Sequence, residues 1–225
     1  MGDAKKLEVK IIPSGIANTF IKKHHYSGKV VNNSKLHMGV FYQNTLHGVM
    51  SFGSSIDTRR MLNLVDGTKW GECIELNRMA FDDVLPRNSE SRAIAIAMRL
   101  IKKNAPHIKW VVSFADGTQC GDGTIYRASG FILTQINPNT GMVRMPDGTI
   151  THRKSLDNVN KKQWNEGGFS YWLEHGATPL TGYMLRYIYF IDKTCRQKLT
   201  CPEIPYSKIG EIGATMYLGH KHDHA

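Results

Sequence analysis

The sequence predicts an α/β (α+β) chain with a mixed central sheet flanked by helices and a polar, aromatic-rich insertion before the last strand. Three observations lead there. Short apolar runs with strand alternation bracket one well-defined helical stripe. Strand, helix, strand, short helix and strand follow one another from residue 73 to 134, an order that argues for parallel pairing in the middle of the sheet. Tyr126 stands one turn before Gly130-Phe131, where a glycine can close a short helix and release a new apolar run, Phe131 to Leu133.

The elements are read in order. Leu7 to Ile12 alternates as a strand, Pro13 stops it, and Ser14 offers an N-cap to a helix over Ile16 to His25 that closes near Gly28. Leu36 to Tyr42 and Leu46 to Phe52 are strands joined by Gln43, Asn44 and Thr45, which makes them a hairpin. A loop with Asp57, Arg59, Arg60, Asp66 and Gly67 leads to a strand over Cys73 to Phe81, with Ile74, Leu76 and Met79 apolar and Asn77 and Arg78 off that face. From Ser91 to Lys103, Ala93, Ile94, Ala97, Leu100 and Ile101 recur at helical spacing, with Arg92, Arg99, Lys102 and Lys103 outside the stripe. Lys109 to Ala115 is a strand, and a loop with Gly117, Gly121 and Gly123 precedes the Tyr126 helix. Gln135 to Thr181 is polar and without a period, Met184 to Ile191 is a last strand, and Thr194 to Ala225 reads as loosely ordered.

With 225 residues the chain can bury one good core. A single domain over 1–225 is expected, with its core at about 7–134 and 184–191, the insertion at 135–181 and the tail at 194–225. No apolar run approaches the roughly 20 residues of a membrane span, and the N-terminus lacks the apolar core of a signal peptide, so the expected compartment is the cytoplasm. Cys73, Cys120, Cys195 and Cys201 lack CxxC spacing and are expected as free thiols there. The net charge is +10 and the pI about 9.5. Residues 1–60 hold nine Lys/Arg against three Asp/Glu, so +6 of the +10 sits in the first quarter. That balance points to a polyanionic partner, nucleic acid before a merely basic soluble surface.

The order of elements resembles a GNAT acyltransferase fold over roughly residues 7 to 134 plus the late strand. In that family a tyrosine placed like Tyr126 faces the sulfur of the acyl carrier and can protonate it as it leaves. Tyr126 reads as well as a core tyrosine on an amphipathic helix. The family's glycine-rich phosphate loop is replaced here by Leu85-Pro86-Arg87-Asn88-Ser89-Glu90-Ser91-Arg92. Helix N-terminal amides bind phosphate without glycines, and Arg87 and Arg92 add charge. Arg87, Asn88, Ser89, Ser91 and Arg92 are therefore the candidate residues for acyl-coenzyme A, acetyl-CoA in the simplest case.

Four motifs narrow the resemblance. His24-His25-Tyr26-Ser27-Gly28, Glu75-Leu76-Asn77-Arg78-Met79, Pro86-Arg87-Asn88-Ser89-Glu90-Ser91, and Phe114-Ala115-Asp116 with Tyr126 and Gly130-Phe131 together resemble the Mom family of phage proteins. The resemblance implies an enzyme that converts the exocyclic N6 amine of adenine in double-stranded DNA to its carbamoylmethyl (methylcarbamoyl) form. The implied purpose is to hide phage DNA from host restriction enzymes, in the host cytoplasm. It also implies candidate catalytic residues: Tyr126, Asp116, His25, Arg78, Tyr26 and Ser91.

The chemistry of these residue types gives each of them a task and an alternative. The adenine N6 lone pair is delocalised into the ring, so attack through it needs a base or an unusually electrophilic partner. His25 and Asp116 are the candidate bases; alternatively His25 satisfies carbonyls at a helix end and Asp116 caps the short helix. Arg78 can orient a carboxamide, a phosphate or Asp116 through its planar fork, or else is a solvated strand charge or pairs with Glu75. Ser91 donates to the donor molecule or completes a helical turn, and Ser89 reads as a cap. The donor stays open, because the atom joined to N6 is a methylene and not a carbonyl carbon, so acetyl-CoA alone does not supply the group.

A base inside a duplex has to be extruded to reach a cleft catalyst, so basic residues beside aromatics are informative. Lys22, Lys23, Lys29 and Lys35 flank the His-His-Tyr motif, and Lys154, Lys161, Lys162 and Trp164 lie in the insertion; these are the candidate DNA contacts. A satellite core is the alternative for the insertion's tryptophans. No metal is expected: His220, His222 and His224 read as a solvated tail before a chelator. The oligomeric state is open, a dimer included. Two further functions stay in view, an ordinary GNAT N-acetyltransferase of a protein or small-molecule amine and a non-catalytic basic DNA-binding module.

Overall fold

The computed structural model describes residues 3–119, 121–154, 156 and 169–214. Cys120, Lys161, Lys162, Trp164 and the stretch from His220 to His224 lie outside them. The chain divides into two compact units. One takes the chain up to Phe114 with Gly123–Gln135 and Arg186–Tyr206, and the other takes Ala115–Asp122, Ile136–Leu185 and the chain from Ser207.

The first unit is built on a mixed sheet. Its strands are β1 (Glu8–Ile11), β2 (Ser34–Tyr42), β3 (Thr45–Gly53), β4 (Cys73–Phe81), β5 (Trp110–Asp116), β6 (Ile132–Pro138) and β10 (Tyr183–Phe190), in the order β1-β2-β3-β4-β5-β10-β6. β1 to β4 pair antiparallel, and β4 pairs parallel to β5 with Cys73 opposite Trp110, the parallel step expected in the middle of the sheet. The hairpin turn is Gln43-Asn44 with φ of 49° and 64°, the left-handed pair that matches the twist of the two strands. Sequence order would set β6 beside β5, but the late strand β10 stands between them.

Helices cover this sheet. α1 (Ser14–His24) buries Ala17 and Ile21 with Ile12 and Val49. Its N-cap position is Pro13, and Ser14 is its first residue without a capping hydrogen bond, which corrects the cap expected at Ser14. α2 (Thr58–Leu62) occupies the stretch read as a loop. Asp57 caps it by accepting from Arg60 N, and Met61, Leu64 and Val65 pack on Trp110, Val112, Ile188 and Phe190. α3 (Ser89–Asn104) buries the predicted stripe, with Ala93, Ile94, Ala97 and Ile101 each at most 2% exposed.

α4 (Thr124–Ala128) ends as its sequence requires. Gly130 has φ 81°, its N–H donates to Arg127 O, the Phe131 N–H donates to Tyr126 O at 3.1 Å, and the Tyr126 and Phe131 rings lie 5.4 Å apart. This is a Schellman close with its apolar contact. A Cβ on Gly130 would meet nothing nearer than the Tyr189 ring at 3.8 Å, so Gly130→Ala carries only the left-handed backbone cost. Urea denaturation is expected to show a loss of about 1 kcal/mol.

In the second unit the insertion is more regular than its sequence suggests. β7 (Met142–Arg144), β8 (Ile150–His152) and β9 (Thr178–Leu180) form an antiparallel sheet in the order β8-β7-β9, and α5 (Phe169–Glu174) precedes β9. Strands of three residues are too short to show a period. The tail expected to be loosely ordered is also structured where it is described. Lys193–Lys198 forms a 3-10 turn capped by Asp192, Arg196 grips Glu203 through two 2.6 Å hydrogen bonds, and Thr200 Oγ1 donates to Asn63 O. α6 (Ser207–Glu211) buries Ile209 to 1% exposure. Partners such as Asn63 are too far along the chain for local patterning to reveal.

Candidate functional site

A polar row crosses the first unit's sheet. His37 on β2 faces Ser51 on β3, which faces Arg78 on β4. Directly opposed residues of antiparallel strands project to the same side. His37 Nδ1 and Ser51 Oγ share a 2.8 Å hydrogen bond. The next pair along is Phe52 with Leu76, so Asn77 is the extra residue of a β-bulge. Asn77, read as lying off the apolar face of this strand, is therefore 6% exposed, with its Oδ1 accepting from Ser34 Oγ at 3.0 Å.

Arg78 does not pair with Glu75. Its Nε donates to Lys29 O at 3.1 Å and its Nη1 to Asn77 O at 2.8 Å, so the guanidinium pins the turn after α1 to the bulge of β4. That turn carries His25-Tyr26-Ser27-Gly28. The His25 and Tyr26 rings are 4.2 Å apart, and Tyr26 is half exposed.

His25 is half-buried at the C-cap of α1, and its ring satisfies no carbonyl at that helix end. Instead Nδ1 accepts the Ser27 N–H at 3.1 Å and lies 2.8 Å from Ser27 Oγ. With Nδ1 accepting, the proton of the neutral ring belongs on Nε2. Burial first and the Arg78 charge second lower the His25 pKa from 6.5 to about 4. The unfolded chain therefore binds this proton more tightly than the folded one. The linked stability is complete above pH 6.5 and is lost as pH falls toward 4, by up to about 3 kcal/mol, less for a partly solvated ring. Burial lowers the His37 pKa as well, which adds a slope of the same sign. Urea titrations from pH 7 to pH 4 are expected to flatten in His25→Asn, which keeps an acceptor without the titration, and an unchanged slope removes His25 from this role.

Tyr126 is 8% exposed and packs against Phe131 and Tyr187, with ring centroids 5.4 and 5.3 Å away. In the second unit, Asp116 is 7% exposed and holds a network of its own. Its Oδ1 accepts from Thr118 N at 2.9 Å and Asn139 Nδ2 at 3.1 Å, and its Oδ2 from Gln119 Nε2 at 3.0 Å. α4 starts after Gly123 without a side-chain cap, so Asp116 shapes its own loop and does not cap that helix. Sequence reading missed Asn139 because nothing local marks it.

The candidate cofactor residues gather at the N-terminus of α3. Arg87 and Asn88 are exposed, and Asn88 takes the N-cap position at φ 68° with no side-chain cap. The Ser89 hydroxyl is buried and donates to Pro86 O at 2.5 Å, so it neither caps α3 nor faces solvent. Ser91 Oγ donates to Asn88 O at 3.2 Å and completes the first turn. Among the described residues, Arg92 Nε is buried without a partner, an orphaned cationic donor. An uncapped 16-residue helix beside an unsatisfied guanidinium fits a phosphate group.

Lys22, Lys23, Lys29 and Lys35 are exposed, the first two on the last turn of α1. Lys154 is exposed in the second unit, while Lys161, Lys162 and Trp164 lie outside the described residues. Among the described residues no helix is long and apolar enough to cross a membrane. Cys73, Cys195 and Cys201 are free thiols. One buried cation was not read from sequence. Arg186 is 6% exposed and donates to Thr134 Oγ1, Thr134 O and Cys201 Sγ, and burial lowers its pKa.

Comparison with known proteins gives these positions a lineage. The family model described as Mom protein family matches residues 6–208. The chain is 36% identical over 197 residues to the methylcarbamoylase Mom of Escherichia phage Mu, covering 87% of this chain and 80% of that protein. Among solved structures, a Bacillus subtilis acetyltransferase in complex with CoA covers 82% of this chain and 99% of its own at 11% identity and a TM-score of 0.47. The spermidine/spermine N-acetyltransferase of Vibrio cholerae covers 87% and 98% at 8% identity and a TM-score of 0.49. These two likenesses add nothing to the family assignment, which rests on the family model and the phage Mu relative. By both of those, the chain belongs to the Mom protein family.

Proposed function

We propose that this chain is a transferase that converts the N6 amine of adenine in double-stranded DNA to its carbamoylmethyl form and thereby shields DNA from restriction enzymes. The observation that carries this reading is the match to the phage Mu methylcarbamoylase along most of both chains. The product fixes what the residues have to do. A bond forms between N6 and a methylene carbon as that carbon's bond to its leaving group breaks, the leaving group takes the electron pair, and one N6 hydrogen leaves as a proton.

Asp116 is the proposed proton acceptor, its carboxylate held in one orientation by Thr118, Gln119 and Asn139. His25 serves as a neutral donor from Nε2, because a ring with a pKa near 4 and its Nδ1 engaged is a weak base at neutral pH. Arg78 positions the His25 turn, Tyr26 offers an exposed ring for base stacking, and Tyr126 supplies a hydroxyl to the reacting groups. The backbone amides of Ser89 to Ser91 with Arg87 and Arg92 would hold the phosphates of acyl-coenzyme A, whose thioester would supply an acyl group activated at its carbonyl carbon and not by itself the methylene joined to N6; the Ser91 hydroxyl assists there. Lys22, Lys23, Lys29, Lys35 and Lys154 track DNA phosphates, and the reaction takes place in the cytoplasm that holds the DNA.

Mass spectrometry of nucleosides from cells expressing the protein tests the reading. Deoxyadenosine carrying a carbamoylmethyl group in place of one N6 hydrogen is the expected product. Unmodified adenine alongside soluble, folded protein overturns it.

A further inference from the structure

The first unit contains a cavity of about 470 Å³ where α1 begins and β2 begins, bordered by Ser14, Asn18, Asn32, Ser34, Lys35 and His37. Its volume lies within the roughly 300–1,000 Å³ of small-ligand sites. None of the motifs that carry the resemblance includes these six residues. The groups around it differ in kind. α1 has 11 residues and no side-chain cap, so its first amides reach the cavity mouth without an intrahelical partner, and Lys35 adds a cation. Asn18 and Asn32 each bring an amide with donors and an acceptor.

His37 is the second, independent sign of a ligand. It is 6% exposed, Ser51 Oγ holds its Nδ1, and its Nε2 has no partner among the described residues although it borders the cavity. Gly39, two residues on and therefore on the same side of β2, faces Ile12, which places His37 on the α1 side of the sheet. A largely buried imidazole with one solvent-accessible ring nitrogen beside a cavity is a group that a ligand can engage. Two of its bordering residues are tied to the motif residues, because Ser34 donates to Asn77 and His37 lies in register with Ser51 and, through it, Arg78.

We propose that this cavity receives a purine nucleotide unit of the DNA substrate, with its phosphate at the α1 N-terminus and Lys35 and its base against Asn18, Asn32 and His37. An amide is the side chain that reads adenine in two places at once, giving to one ring edge atom and accepting from the exocyclic amine. A cation and a free helix end suit the phosphate on the other side of the sugar. The proposal rests on the reading of adenine in DNA as the substrate and names where a purine beside the target adenine is held, since the residues assigned to the chemistry do not border the cavity.

The test titrates the full chain with 2′-deoxyadenosine 5′-monophosphate, thymidine 5′-monophosphate and inorganic phosphate, followed by NMR. Asn18→Leu and Asn32→Leu are titrated beside the wild type, and their thermal melts confirm that they fold. Saturable binding of the adenine nucleotide is expected, weakened about tenfold in each variant, the low end of a bidentate base contact, with the thymine nucleotide similarly weaker. Equal affinity in the variants, phosphate binding as tightly as the adenine nucleotide, or no saturable binding overturns the proposal. Nucleoside analysis of DNA from the cells that express the wild type separates the two readings. Modified adenine with variant-insensitive binding removes the cavity and keeps the function. Variant-sensitive binding without modified adenine removes the function and keeps the cavity as a nucleotide site.

Discussion

Tyr126→Phe is expected to lower the yield of modified adenine by at least about 100-fold while leaving the protein folded, the range that follows loss of a positioned proton-transfer group. The substitution separates the ring from its hydroxyl. The ring lies against Phe131 and Tyr187 and takes part in the close of α4, so phenylalanine keeps both contacts. The loss of one hydrogen-bonding group leaves a stability change of about 1 kcal/mol. Nucleoside mass spectrometry and a thermal melt on the same preparation read both quantities. An unchanged yield reduces Tyr126 to a core residue, and a collapse of the melt shows that its hydroxyl is structural. A tyrosine that has to protonate a departing leaving group and one that only orients the DNA base respond alike to this change. They part when the donor is varied at fixed DNA, because only the first depends on the leaving group.

Arg78→Lys is expected to reduce modification by about 100-fold, although the charge is kept. Lysine is a point charge on a flexible stem and cannot span Lys29 O and Asn77 O as the planar guanidinium does. The turn carrying His25 and Tyr26 then loses its anchor on β4, and a displacement of about 1 Å at a positioned group costs that much rate. The His25 titration, followed by NMR, distinguishes positioning from electrostatics. In Arg78→Lys the His25 pKa stays low, since the burial and a neighbouring cation both persist. In Arg78→Gln it rises, because the second of its two causes is gone. Full activity of Arg78→Lys overturns the positioning role.

Much of the fold was legible because its signals are local. The stripe of α3, the Gln43-Asn44 hairpin and the Gly130 close each depend on residues within a few positions of one another, and the parallel step from β4 to β5 followed from the order strand, helix, strand. The motif residues His25, Tyr26 and Arg78 were also found from sequence, and the structure sets them together around one turn. His37 was legible in principle as a histidine inside an apolar strand, between Leu36 and Met38, but only pairing with Ser51 shows that it belongs to the same row as Arg78. Asn77 gave a false signal, because alternation along β4 breaks at a bulge that the strand alone does not announce. Ser14 and Ser89 were read as caps on residue type. The backbone starts each helix one residue earlier than a cap there requires, leaving Ser14 uncapping and turning the Ser89 hydroxyl to Pro86 O.

The sequence by itself determined the main strands and the longer helices of the first unit, the basic first quarter and the motifs that carry membership of the Mom family, because propensity, periodicity and composition act over short stretches of chain. Tertiary structure decided the place of β10 between β5 and β6, the bulge that buries Asn77, the neutral state of His25 and the network around Asp116. Each of these depends on groups brought together from distant parts of the chain and on the water excluded when they meet. A strand order, a desolvated imidazole and a carboxylate held by an asparagine 23 residues away have no local cause to read.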